Sequence, residues 1–233
     1  RRVPDYMPIV ADKVESGGYL PYYREPEITR PVLLCDQKGE LNPEAVGWAR
    51  RPLIRANLKG HWPRKKKWNF WNWISPGFVY SVTLADIDYL AFCSVSLIDF
   101  KTGEKWTGMA IRPGGTLAMP EEVEKSVHFH GGGMDYSFDH QGARIKVDFR
   151  GKASGEDVAA DFVIHKPQGH ETLNIVVPWS HDRFQMNSKH NTLPCEGRVT
   201  IGAREYVMDP SECHGGQDFG RGMWPYRSCW NWG

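Results

Sequence analysis

From Trp68 onward the chain alternates apolar and polar residues with a period of two, the signature of strands that bury one face. The stretches "FVYSVTL" (78–84) and "IDYLAFCSVSLIDF" (87–100) are rich in aromatic and β-branched residues and are followed by a turn at "KTGE". "KWTGMAIR", "KSVHFH", "MDYSFD", "ARIKVDF", "DVAADFVI" and "ETLNIVVPW" continue the pattern, separated by "PGG", "GGG" and "HQG". "RVTIGAREYVM" (198–208) reads as a hairpin turning at Gly202 and Ala203. Short strands at roughly ten-residue spacing, each closed by Gly or Pro, predict an antiparallel meander. A meander of this size removes its edges by curling into a barrel or strongly curved sandwich. The expected class is therefore all-β, a barrel or strongly curved sandwich over 51–233 preceded by an irregular arm over 1–50. Six prolines (Pro4, Pro8, Pro21, Pro26, Pro31, Pro43) break any long element in that arm, and "LNPEAVGWAR" has room for one or two helical turns. The polar stretch "PWSHDRFQMNSKHNTLPCEG" (178–197) reads as a long loop between strands.

Composition narrows the function classes. The net charge is +1, with charged residues at 24%, so no global field points to nucleic acid or an anionic membrane. "RKKKWNFWNW" (64–73) mixes bases and aromatics, but the basic run is short and reads as a solvated strand entry. Five scattered cysteines without a C-x-x-C suggest neither a disulfide framework nor a zinc knuckle, and a reducing, cytoplasmic compartment is the expectation. No apolar run approaches the roughly 20 residues of a membrane-spanning helix, so stable membrane insertion is not expected. The glycine-rich turns match no phosphate-binding template, and no cofactor is implied.

Ten tryptophans are the unusual feature. Tryptophan is large and its N–H wants an acceptor, so a cluster marks a packed aromatic core or a ligand cavity. "FWNWISPG" (70–77) and "SCWNWG" (228–233) echo each other, which puts Trp71 with Trp73 and Trp230 with Trp232 on single strand faces.

Three constellations carry candidate chemistry. In "QDFGRGMWPYRSCWNWG", Asp218 and Arg221 lie three apart among Trp224, Tyr226, Trp230 and Trp232. That set suits proton transfer to an apolar substrate, with tryptophan faces stabilising a developing cation. The alternative is an ion pair pinning a loop, with the tryptophans as core. His128-x-His130, followed by Asp135, puts two imidazoles on one strand face, a weak candidate for a metal site. Otherwise the two histidines hydrogen-bond at a strand end. The 178–197 stretch gathers His181, Asp182, Arg183, Lys189 and His190, while Ser180-His181-Asp182 lacks the G-x-S-x-G context of a nucleophile.

The blocks "LLCDQKGELNPEAVGWARRPL", "KKKWNFWNWISPGFVYSVTLADIDY", "PWSHDRFQMNSKHNTLPCEG" and "DFGRGMWPYRSCWNWG" resemble successive blocks of an uncharacterised bacterial family, a domain of unknown function, over about residues 32–233. The resemblance implies a longer protein, cut at Gly233, with a possible C-terminal barrel as partner. More distantly, "DFGRG…W…W" is similar to the lipocalin-related group that includes hydroxyneurosporene synthase, a carotenoid hydratase, although "DFGRG" is not that group's own motif. This resemblance implies a lipocalin-like (calycin) barrel, with Asp218 as an acid and Trp224, Tyr226, Trp230 and Trp232 lining a cavity.

Three functions are thus expected of the chain. The first is binding of an apolar, lipid or isoprenoid-like small molecule in a cavity lined by Trp71, Trp73, Trp179, Trp224, Tyr226, Trp230 and Trp232. The second is hydration or isomerisation through Asp218 and Arg221, with His214 or His190 positioning water. The third is metal-dependent chemistry at His128 and His130.

Overall fold

The computed structural model describes residues 25–227. Trp230 and Trp232 lie outside the described residues. Two two-residue strands, β1 (Val32–Leu33) and β2 (Trp48–Ala49), and one 3-10 turn (Pro43–Ala45) are the regular elements of the described part of the arm, and a third short strand, β3 (Ile54–Arg55), follows it and pairs with β1. Asn42 caps that turn through its side-chain oxygen, and proline at its start supplies the fixed φ.

The period-two segments form long strands: β4 (Lys65–Ser75), β5 (Phe78–Asp86), β6 (Leu90–Asp99), β7 (Lys105–Pro113), β8 (Val127–Gly131), β9 (Met134–Gln141), β10 (Arg144–Ala153) and β11 (Glu156–His165). They are followed by β12 (Leu173–Ser180), β13 (Arg183–Ile201), β14 (Arg204–Met208) and β15 (His214–Met223). Among the described residues there is no α-helix. The main path runs β7-β6-β5-β4-β15-β13-β11-β10-β9-β8, and every pairing along it is antiparallel. This is an all-β sheet curled into a nearly closed, lipocalin-like barrel. Its seam is bridged by Arg112 donating to the His130 carbonyl (3.1 Å) and Ser154 N–H donating to the Thr107 carbonyl (2.9 Å).

The 178–197 stretch is not a loop. A turn at His181 and Asp182 joins β12 to β13, which runs for 19 residues. Its residues alternate: Phe184, Met186, Ser188 and His190 face inward, while Gln185, Asn187 and Lys189 face outward. After Pro194, just past the irregularity between His190 and Leu193, β13 changes partners. Its first half pairs with β12 and β15, its second with β11 and β14.

Two apolar clusters hold the molecule. The barrel interior packs Trp71, Trp73, Tyr80, Phe138, Phe149 and Phe162. The second cluster sets Phe184, Met186, Phe219 and Met223 against Ile28, Leu34 and Leu41 of the arm. The described part of the arm thus covers the inner face where β13 and β15 run side by side.

Candidate functional site

Parity on two strands builds the site. In β4, Asn69, Trp71 and Trp73 are buried, whereas Lys66, Trp68 and Phe70 point to the outer face. In β15, Gln217, Phe219 and Arg221 point inward and Asp218 outward. The register sets Asp218 opposite both Phe70 of β4 and Lys189 of β13. A cleft of about 680 Å³ opens on this outer face. Trp68, Phe70, Phe92 and Trp224 supply aromatic walls, Thr83, Ala85 and Ile87 the side, and Lys66, Gln185, Asn187, Lys189 and Asp218 the polar lining.

Asp218 is the organising group. Its Oδ1 accepts from the Trp68 indole N–H (3.1 Å) and from Asn187 Nδ2 (2.9 Å), and its Oδ2 accepts from Lys189 Nζ (2.6 Å). Its side chain keeps only 14% exposure. Glycine explains how the indole reaches it. A Cβ at Gly220 would overlap Cε2 and Cζ2 of Trp68, so the ring lies flat across bare backbone. In "DFGRG", the aspartate and the glycine two residues later share the outer face and form one docking surface for Trp68. Trp224 packs edge-on against Trp68 (5.8 Å between ring centroids) and tilted against Trp179 (5.3 Å).

Arg221 does not pair with Asp218. A separation of three puts two strand residues on opposite faces, so the expected contact cannot form. Arg221 is 1% exposed, and all five of its N–H donors are used. Nε donates to the Pro120 carbonyl, Nη1 to the Trp68 and Gly220 carbonyls, and Nη2 to Asn69 Oδ1 and the Pro120 carbonyl. The guanidinium also stacks on Phe219, 3.6 Å from the ring centroid. Burial lowers its pKa well below the ordinary arginine value. This side chain clamps the Pro120 loop to β4 and β15.

The other sequence candidates are dispersed. Trp71 and Trp73 stack in the barrel core (5.9 Å) against Phe138 and Phe162, and their indole N–H groups find no acceptor among the described residues. Tyr226 is exposed beneath Arg64. His214 sits on the outer face at the start of β15, four residues from Asp218. His190 faces inward, bonded to Ser188 Oγ (3.1 Å) and stacked on His170 (6.0 Å). Burial, reinforced by His170, Lys166 and His140, pushes its pKa down to about 3. His128 and His130 share an exposed face but engage different carboxylates, Asp139 (3.1 Å) and Asp135 (3.0 Å). Among the described residues, no group of three or more His, Cys, Asp or Glu is placed to hold a metal ion. No helix of the described residues is long and apolar enough to cross a membrane.

Sequence reasoning missed Trp68, Phe70, Phe92 and Lys66. The signal was in "KWNFWNW", where residues 68 and 70 fall on the face opposite to 71 and 73.

A model of a family described as a domain of unknown function, DUF2804, matches residues 25–233. No curated protein matches. Among solved structures, a candidate AttH protein from Nitrosomonas europaea superposes with a TM-score of 0.47 at 12% identity, over 76% of this chain. The chain spans 59% of that structure's length.

Proposed function

The chain belongs to the DUF2804 family of domains of unknown function, and we propose that it binds an apolar or amphiphilic small molecule on the outer face of β4, β15 and β13. The observation that carries this reading is the cleft of about 680 Å³ in which Trp68, Phe70, Phe92 and Trp224 surround a hydrogen-bonded aspartate. Binding sites for small molecules combine such apolar walls with a few fixed polar groups, and this volume falls in their usual range. The floor is firm, because the second apolar cluster and the Arg221 clamp back it from the inner side. Lipids and isoprenoid-like compounds are the matching ligand classes.

Titration of intrinsic tryptophan fluorescence with fatty acids, isoprenoid alcohols and hydrocarbons tests the proposal, since Trp68 and Trp224 would report an occupied cleft. Thr83→Trp fills the cleft from β5 and should abolish the response. If no compound changes the emission, or if Thr83→Trp binds as well as the parent, the site is elsewhere.

A second reading makes Asp218 an acid in hydration or isomerisation of the bound molecule. It draws on the same observation, a carboxyl group bonded to one indole in a cleft lined by a second. Three N–H donors take three of the four acceptor sites on its two oxygens, which leaves one site on Oδ2 for the proton such a mechanism would deliver. Asp218→Asn separates the two readings. It would abolish turnover of a bound alkene under the acid mechanism and leave binding of apolar ligands largely intact under the other.

A further inference from the structure

We propose that the ligand carries an anionic headgroup and that Lys66 receives it; this deepens the binding reading above and rests on it. The charged lining of the cleft is two lysines and one aspartate. Lys189 and Asp218 are joined at 2.6 Å and offset each other. Lys66 remains.

Its neighbours in the basic run are engaged otherwise. Arg64 stacks on Tyr226, Lys65 pairs with Asp88 (3.0 Å), and Lys67 faces inward, where burial and Arg221 lower its pKa. Lys66 Nζ sits 4.7 Å from the Tyr89 ring centroid and reaches the Ile87 carbonyl only at 3.4 Å. No carboxylate among the described residues stands within ion-pair distance of it. The lining therefore has a cation at one end that no carboxylate of the described residues neutralises.

The apolar path leads away from that cation. Lys66, Trp68 and Phe70 are successive outer-face residues of β4, so the backbone of the track spans roughly 13 Å from Lys66 to Phe70. Ala85 and Ile87 flank it on one side. Beyond Phe70 and Thr83, a second hollow of about 440 Å³ continues between Ser94, Ser96 and Met109. A cation followed by an extended apolar track fits a long acyl chain ending in a carboxylate or a phosphate. A neutral hydrocarbon would leave Lys66 unmatched, and a cationic amphiphile would meet a lining of net positive charge.

The test compares oleic acid, oleyl alcohol and monooleyl phosphate below their aggregation concentrations, read by tryptophan fluorescence. It uses the parent, Lys66→Met and Lys66→Arg. In the parent, the better anion should bind about tenfold tighter than the alcohol, as a charge-assisted contact at a partly exposed site allows. Lys66→Met should erase that advantage without changing the affinity for the alcohol, and Lys66→Arg should keep it. Whichever anion shows the larger Lys66-dependent gain identifies the headgroup. Equal affinities for acid, phosphate and alcohol in the parent would overturn the proposal and leave the cleft standing. So would an advantage that survives in Lys66→Met. If none of the three binds, the cleft reading falls with it.

Discussion

Replacing Gly220 with alanine should push Trp68 off the sheet. The backbone there is ordinary extended strand, so alanine meets no φ/ψ strain; the conflict is the methyl group overlapping Cε2 and Cζ2 of the indole. Carbon atoms rest at about 3.5–4.0 Å, so the ring must move by on the order of 2 Å. That movement breaks the 3.1 Å bond from the indole N–H to Asp218. A hydrogen bond to a charged acceptor contributes about 1.5–3 kcal/mol, and overpacking costs about 1–3 kcal/mol. Trp68 is half-buried and can relieve part of the clash toward solvent. We therefore expect a net loss of about 2 kcal/mol, which lowers Tm by about 4–8 °C in a domain of this size. Urea and thermal unfolding of Gly220→Ala measure it. In a Trp68→Ala background the same change should be nearly neutral, giving a coupling of about 2 kcal/mol between the two sites. If Gly220→Ala is as stable as the parent, or equally costly with and without the indole, the docking of Trp68 on bare backbone is wrong.

Three further outcomes follow from the same geometry. Arg221→Met should destabilise by about 3 kcal/mol or more in chemical denaturation, because the Pro120, Trp68 and Gly220 carbonyls and Asn69 lose their donors. Arg221→Lys should recover little of this, since an ammonium cannot reproduce the planar five-donor fork. Acid should weaken the fold through His190 and His140, whose pKa values burial depresses to about 3 and about 4. They stay neutral when folded and gain protons when unfolded, so stability is whole above the unfolded value near pH 6.5 and falls as pH drops toward the folded values. Their surroundings (His170, Lys166, Glu124 and Asp139) titrate or carry charge as well, yet each histidine should contribute a loss of about 2 kcal/mol between pH 8 and pH 5, measurable as a drop in urea midpoint that His190→Gln reduces.

The fold was legible because alternation in "FVYSVTL" or "ARIKVDF" states both the strand and its buried face. The 178–197 stretch misled for an instructive reason. Its polar residues read as a loop when counted by composition, whereas by parity Gln185, Asn187 and Lys189 are one outer face of a strand. Parity also decides the site. It separates Asp218 from Arg221, sends His190 and the Trp71–Trp73 pair to the inner face, and leaves Trp68 and Phe70 beside Asp218. Which strands become neighbours is a long-range matter of β4 pairing with β15 across some 150 positions, and local pattern carries no trace of it.

The most direct test of the account is a crystal structure of the protein with oleate bound. The account predicts ordered chain density on the outer face, along Trp68, Phe70 and Phe92, with the headgroup at Lys66. Density inside the barrel instead, among Trp71, Trp73, Tyr80 and Tyr136, whose side-chain polar atoms lack partners among the described residues, would contradict it.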